Sequence, residues 1–397
     1  MKVPTKRFGR TEVQMPVLTC GGMRYQQGWD DLDPGKIDPK IQENLEDCIH
    51  YALELGINHI ETARGYGPSE MQLGWVLPKI DRSKLLVQTK IGVKKTAKEF
   101  LETFETSMNY LQLEHIDFLA IHGINTLDDM ETCLKKGGCV DAVRQLQKEG
   151  RVRFCGFSTH AGPDVVSPVC ESGEFDYVNL HWYFIYDQLH WPMVESAAKM
   201  DMGVFIISPN DKGGMLYNPT EKMAKLCSPL TPMQWNGLYC LARPEVHTLS
   251  IGAAKPTDFD EHVAAVSNHW NSPMVGEIEE RIVQSLENDL GADWVHQWHK
   301  GLPLHTETPG HINVREILRL WTFEKGLGIT EFAKMRYNLL GNAGHWFPGE
   351  QAVDVDAHNW SCLSASPFAD RIPGLLKEAH ACFHEEKEAK RLSESSQ

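Results

Sequence analysis

Short apolar runs rich in β-branched residues recur along the first 255 residues, with helix-patterned or polar chain between them. They are PVLTCGG (16–22), HIETA (59–63), LLVQTK (85–90), DFLAIH (117–122), RFCGFST (153–159), YVNLHW (177–182), GVFIISP (203–209) and TLSIGA (248–253). Runs this continuous predict strands buried on both faces, as in a parallel sheet. Between them the spacing is helical. Over Gln42–Leu55 the apolar Leu45, Cys48, Ile49, Ala52, Leu53 and Leu55 fall three and four apart, and Gly56 supplies a stop. Strand and helix in alternation give an open doubly wound sheet or a closed barrel. A count of eight, with no Gly-x-Gly-x-x-Gly after the first run, favours an α/β fold of the (β/α)8 TIM barrel type. Ahead of the first strand, Lys6 to Met15 with Gly9-Arg10-Thr11 at its centre predicts a hairpin covering the barrel bottom.

From about Gly276 the strand pattern stops, and Pro303, Pro309, Pro348, Pro367 and Pro373 punctuate helical stretches. Two domains are therefore expected: a barrel over 1–275 and a C-terminal α-helical extension over 276–397. Trp270, Trp294, Trp298, Trp321, Trp346 and Trp360 predict a packed appendage, with fraying confined to HEEKEAKRLSESSQ at the end.

Composition narrows the function classes. With 42% hydrophobic and 23% charged residues, the 397-residue chain is globular and not disordered, collagenous or coiled-coil. A formal charge of -15 repels phosphate backbones and anionic lipid, so neither nucleic acid nor membrane is an expected partner. The ten Cys include no Cys-x-x-Cys pair, which spells neither a zinc ribbon nor an iron–sulfur cluster. The N-terminus has no apolar core of signal-peptide length and no run of 18 apolar residues occurs, so a soluble, cytoplasmic protein is expected.

Chemistry is expected where barrel strands end at their C-termini. Glu61 and Tyr66 follow the second strand and Lys90 ends the third. His122 ends the fourth, Ser158, Thr159 and His160 the fifth, while Asn179 and His181 lie on the sixth. An ammonium beside a phenol favours phenolate, so Lys90 can tune Tyr66 as a general acid/base toward a carbonyl oxygen. Glu61 can hold Lys90 in place, and His122 can orient the carbonyl by a hydrogen bond. Such a set still needs a hydride, hence a nicotinamide.

HIETARGYG (59–67), VQTKIG (87–92) and AIHGIN (120–125) resemble the three catalytic blocks of the aldo-keto reductase family, in the family's order, over roughly residues 5–268. The resemblance implies a catalytic tetrad of Tyr66, Lys90, His122 and Glu61, the last standing where the family ordinarily has Asp. It implies cofactor contacts from Gly22, Met23 and Arg24 at the nicotinamide ribose. Ser158 and Thr159 replace a Ser-Asn pair at the carboxamide, and Asn179 replaces a Gln. IISPNDKGGML (206–216) resembles the loop over the pyrophosphate, with Ser208, Lys212 and Gly213 as contacts and Ile207 where many relatives place an aromatic ring. SIGAAKPTDFDEHVAA (250–265), with Gly252, Lys255, Asp258 and His262, resembles the adenosine-phosphate segment. There Lys255 favours a 2′-phosphate and Asp258 opposes it; NADP is the expected cofactor and NAD the alternative.

Beyond the barrel, GLPLHTETPGHINVREILRLW (301–321) and KMRYNLLGNAGHWFPG (334–349) are similar to the C-terminal extension of a bacterial branch of the family with ferredoxin-like Cys clusters. No Cys lies between Cys240 and Cys362, so a scaffold without iron and sulfur is expected. His296, His299, His305, His311 and His345 lack a completing acidic or Cys ligand, and no metal is expected. Trp294, Trp298, Trp346 and Phe347 are read either as a substrate-pocket wall or as core. Cys20 and Cys155 are read as small core hydrophobes, and His59 as structural. The function expected is NADP(H)-dependent interconversion of a small-molecule carbonyl and alcohol. The alternative is a nicotinamide-binding sensor or assembly subunit with little activity.

Overall fold

The computed structural model describes residues 2–386. A hairpin of β1 (Thr5–Arg7) and β2 (Gln14–Pro16) precedes eight parallel strands: β3 (Leu18–Gly21), β4 (His59–Glu61), β5 (Leu86–Gly92), β6 (Ile116–His122), β7 (Val152–Ser158), β8 (Tyr177–Leu180), β9 (Gly203–Ile206) and β10 (Thr248–Ile251). They close in the order β10-β3-β4-β5-β6-β7-β8-β9. Between them run α1 (Pro39–Glu54), α2 (Ser69–Gly74), α3 (Ala97–Leu111), α4 (Leu127–Leu134), α5 (Cys139–Lys148), α6 (Pro163–Glu171), α7 (Asp187–Lys199), α8 (Glu221–Cys227) and α9 (Pro232–Leu241). After β10 come α10 (Asp260–His269), α11 (Met274–Leu290), α12 (Ala292–Gln297), α13 (Val314–Leu327), α14 (Thr330–Tyr337) and α15 (Ile372–Phe383).

The expected (β/α)8 architecture is thus present, with further helices after it. Helix α1 begins three residues before the expected Gln42. Asp38 accepts a hydrogen bond from the Lys40 N–H, and Pro39 occupies the first helical position, where its missing donor costs nothing. The stop is as read, with Gly56 at φ +86°.

The chain divides into two compact units. One comprises the chain up to Trp182 together with His190–Pro209 and Cys240–Asn271; the other comprises Tyr183–Leu189, Asn210–Tyr239 and the chain from Ser272 on. Two segments within the first 275 residues therefore pack with the later helices. The terminal stretch read as fraying lies, from 387 on, outside the described residues.

In the first unit, Phe8 from the hairpin plugs the barrel. It packs with Met15, Phe118, Ala120, Tyr177 and Phe205, its ring edge-on to Phe118 at 5.7 Å. Above this apolar floor the interior turns polar. The Thr19 hydroxyl meets His59 Nδ1 at 2.8 Å and the Thr248 hydroxyl at 2.9 Å. Cys20 and Cys155 are sealed in the wall, where burial raises both thiols, Cys155 to about 12.

Burial lowers His59 from 6.5 to about 3, with a weaker opposing pull from Asp117. Its folded value lies below its unfolded one, so its contribution to stability is complete above pH 6.5 and is lost as pH falls toward 3. Between pH 7 and pH 5 this one group should remove about 2 kcal/mol of unfolding free energy. Urea melts at the two pH values test this: His59→Gln should flatten the dependence, and an unchanged slope would show that His59 does not carry it.

The second unit has an aromatic core. Trp294 packs against Trp321 at 5.4 Å and Phe368 at 4.9 Å, and its indole N–H donates to the Thr322 hydroxyl at 3.0 Å. Trp294 and Trp298 are each 1% exposed, which makes them core residues. His296 pairs with Glu287 at 2.6 Å. Among the described residues no group of three or more His, Cys, Asp or Glu could hold a metal ion. No described helix is long and apolar enough to cross a membrane.

Candidate active site

Strand alternation decides which side chains line the barrel. From the buried Phe118 and Tyr177 of the floor, a step of four and of two residues reaches His122 and Asn179 near the opposite end. Register places His122 beside Ser158 and Gly92, and Ser158 beside Asn179. On β4 and β5, Glu61 pairs in register with Gln88, two residues before Lys90.

These positions bring three of the expected residues into direct contact. The Lys90 ammonium donates to the Glu61 carboxylate, to the Thr62 carbonyl at 2.9 Å and to Tyr66 Oη at 2.9 Å. The longer reach of Glu61, relative to Asp, still leaves Lys90 on the phenol. Gly21 on the neighbouring strand lies against Ser250, whose Oγ would be 2.4 Å from a Cβ there. The His122 ring stands edge-on to Tyr66 with centroids 5.9 Å apart. Tyr66 is 9% exposed and Lys90 1% exposed.

Burial pushes the Tyr66 phenol up and the Lys90 amine well down from their ordinary values. The adjoining Glu61 carboxylate works against the second shift, because an anion in contact favours the ammonium. His122 falls from 6.5 to about 3 through burial and then the Lys90 charge. At neutral pH the site therefore offers a protonated phenol and a neutral imidazole.

Local structure holds Tyr66 in place. The segment after β4 stays clipped to β5 through Thr62 N–H to Gln88 O and Arg64 N–H to Lys90 O, each 2.9 Å. Gly67 has φ +50°, and a Cβ there would lie 2.6 Å from the Gly28 carbonyl and 2.9 Å from the Trp29 backbone. The loop after β3 thus presses on the loop carrying Tyr66. Trp29 stands edge-on to Tyr66 at 6.0 Å. Arg64 bridges the buried Glu70 at 2.9 Å and contacts Asp31, while the Thr89 hydroxyl donates to Glu70 at 2.6 Å. None of Trp29, Arg64, Glu70 or Asp31 was among the expected site residues. The available signal was the position of Trp29 in a polar loop opposite a strand end.

The expected cofactor residues are distributed unevenly. Gly22 packs on β4, since a Cβ would lie 2.6 Å from the Glu61 carbonyl; the half-buried Met23 and Arg24 follow it. Arg24 lies over Gly252, whose Cβ would be 3.1 Å from Arg24 Cγ. Ser158 Oγ accepts from the Gly123 N–H at 3.2 Å, and the Thr159 hydroxyl donates to the Ile124 carbonyl at 2.8 Å. Asn179 differs: its amide N and O are both buried without a hydrogen-bond partner. Ser208 adopts φ +53°, uncommon for a residue with a Cβ. Lys212 and Gly213 belong to the second unit.

Lys255 and Asp258 form an ion pair at 3.0 Å, and the Asp258 carboxylate also caps the following turn by accepting from Ala254 N–H at 2.9 Å and Lys255 N–H at 3.2 Å. Opposed as they are toward a phosphate, the two are paired with each other. His262 is buried and lowered to about 4, mainly by desolvation. The rings of His160 and His181 meet at 4.5 Å, and His181 Nδ1 lies 3.2 Å from the Ile207 carbonyl, which fixes that nitrogen as the donor.

Comparison with known proteins decides what the barrel belongs to. The Aldo/keto reductase family model matches residues 17–228. This chain belongs to the aldo/keto reductase family. With the family comes a coarse activity, that of a nicotinamide-dependent oxidoreductase. L-galactose dehydrogenase of Arabidopsis thaliana is 24% identical over 323 residues, spanning 72% of this chain and 99% of that protein. A Schizosaccharomyces pombe protein, provisionally named a voltage-gated potassium channel subunit beta, is 23% identical over 320 residues, spanning 66% and 88%. Among solved structures, the holo form of an aldo-keto reductase from Bacillus halodurans superposes with TM-score 0.56 at 20% identity, covering 70% of this chain and 96% of that one. An aldo-keto reductase from Klebsiella pneumoniae in complex with NADPH gives TM-score 0.57 at 15% identity, covering 70% and 95%. These last two likenesses concern the fold of the aldo/keto reductase barrel.

Proposed function

We propose that this aldo/keto reductase interconverts a small-molecule carbonyl and its alcohol, with NADP(H) as cofactor and Tyr66 as general acid/base. The observation that carries the reading is the single hydrogen bond to Tyr66 Oη among the described residues, donated by Lys90 Nζ. Because that oxygen accepts from the ammonium, its own proton is directed elsewhere, to an oxygen arriving from the barrel mouth. Protonation of that oxygen by Tyr66 leaves a phenolate stabilised by Lys90, and the reverse direction returns the proton. Neutral His122, beside Tyr66, donates the second hydrogen bond that positions the substrate oxygen.

The residues present fit a nicotinamide. Asn179, buried with an unpartnered donor and acceptor, has the complement of a carboxamide, and leaving both unmade is costly. Ser158 and Thr159 neighbour it. When bound, the nicotinamide supplies or takes the hydride. Arg24, Gly252 and Lys255 are the residues assigned to the nucleotide, on the resemblance; Ser208, Lys212 and Gly213 are assigned to its pyrophosphate.

NADP stands ahead of NAD on the resemblance; Lys255, whose ammonium Asp258 engages, is the residue assigned to a 2′-phosphate. Exposed pairs of this kind contribute about 0–1 kcal/mol, so a phosphate competes for Lys255 readily. Asp258→Asn keeps a capping acceptor and removes the charge. Its Kd for NADPH, read by quenching of Trp fluorescence, should fall several-fold while that for NADH stays put. Equal shifts for the two nucleotides would remove Lys255 and Asp258 from phosphate selection.

A second reading has one observation in its favour, the similarity to the yeast protein named as a channel beta subunit. In it the barrel binds a nicotinamide nucleotide as a sensor or assembly subunit, with slow chemistry.

A further inference from the structure

The second unit buries more positive charge than it neutralises. Arg319, on α13 one turn after Glu316, has no exposed surface. Its Nε donates to Glu316 at 3.0 Å, its Nη2 contacts the other carboxylate oxygen, and its Cζ lies 3.8 Å from the ring centroid of Tyr186 and 5.7 Å from that of Phe332. The remaining group, Nη1, is buried without an acceptor. Arg336, on α14 and 7% exposed, lies 3.9 Å over the Phe347 ring and reaches the Tyr186 hydroxyl with Nη2 at a long 3.5 Å. Its Nε is likewise buried and unpartnered, and among the described residues no carboxylate pairs with it. Two guanidiniums and one carboxylate thus converge on one phenol, which burial raises and so keeps neutral.

An arginine cannot shed its proton to escape such a site, and an uncompensated buried cation is unfavourable. The arrangement pairs one guanidinium with a carboxylate and leaves two donor nitrogens, Arg319 Nη1 and Arg336 Nε, without acceptors. We propose that Arg319 and Arg336 form a binding site for one small oxyanion, a carboxylate or a phosphate, between Tyr186, Phe332 and Phe347. Guanidinium planes on aromatic faces with unfilled donors suit planar or tetrahedral oxyanions better than spherical ions. Both arginines lie in sequence that the family model does not match, whereas Tyr186 lies within it.

The test is the thermal unfolding of the full chain with added sodium phosphate, sodium acetate or sodium chloride at matched ionic strength. A saturable rise in Tm of several degrees with phosphate or acetate, exceeding that with chloride, is expected. A response to phosphate alone identifies a phosphate ligand, and a response to acetate alone a carboxylate. Arg336→Met should lose this response while its Tm without added anion stays equal to or rises above that of the parent, because the unpaired charge is gone; Arg336→Lys keeps the charge and should keep a weaker response. Equal effects of all three salts, or an undiminished response in Arg336→Met, would overturn the proposal.

Discussion

Replacing Tyr66 with Phe is expected to lower kcat by about 10²- to 10⁴-fold, the range spanned by removal of a positioned general acid. Folding should change little. The substitution deletes one hydroxyl whose hydrogen-bond partner, Lys90 Nζ, keeps the Glu61 carboxylate and the Thr62 carbonyl. A net loss of about 1 kcal/mol is the scale for one such bond. The ring stays, with its edge-on neighbours Trp29 and His122. The nucleotide titration of Tyr66→Phe should therefore match the parent while steady-state turnover collapses. Full turnover in the variant would remove Tyr66 as the proton donor.

The second large effect is structural and chemical together. Lys90→Met leaves the Glu61 carboxylate, 2% exposed, without the cation that engages it. Breaking one side of a buried ion pair costs about 3–5 kcal/mol, several times a typical hydrogen bond. Turnover should fall as well, since the phenolate left on Tyr66 loses its stabilising charge. The two roles separate in a double variant. Glu61→Gln with Lys90→Met removes both charges, so chemical denaturation should show most of the lost stability restored while turnover stays low. Were activity to return with stability, Lys90 would be a structural residue and not the tuner of Tyr66.

Much of this architecture was legible along the chain because each barrel strand is buried on both faces, which writes a continuous apolar run. The runs overshoot the strands for physical reasons. β4 ends at Glu61, yet Thr62 and Arg64 continue hydrogen bonding to β5, so the apolar signal extends past the ladder. β9 ends at Ile206, and two residues later Ser208 turns into the left-handed region. Glu61, Lys90 and His122 were readable because polar residues at the C-terminal ends of such runs have few structural reasons to be there.

What the sequence hid depends on partners far apart in the chain. Asp31, Arg64 and Glu70 read as ordinary surface charges until the loop after β3 folds back and ties them together. Likewise, Glu316 and Arg319 look like a common helical pair three residues apart; only the arrival of Tyr186 and Arg336 makes the charge excess visible. The segments 183–189 and 210–239 carry no compositional mark of packing with the later helices. Asn179 is the intermediate case. Its place after an apolar strand marked it, but its unsatisfied amide, the feature that argues for a carboxamide, exists only once β7 and β9 flank it.

The most direct measurement is a stopped-flow mixing of the protein, preloaded with NADPH, against a panel of aldehydes, quinones and aldoses, following the loss of absorbance of the reduced ring in a single turnover. Rapid oxidation of bound NADPH by at least one carbonyl, abolished in Tyr66→Phe at equal nucleotide occupancy, is the expected result. Bound NADPH that stays reduced against the whole panel, at full occupancy, would contradict the oxidoreductase mechanism and favour the sensor reading.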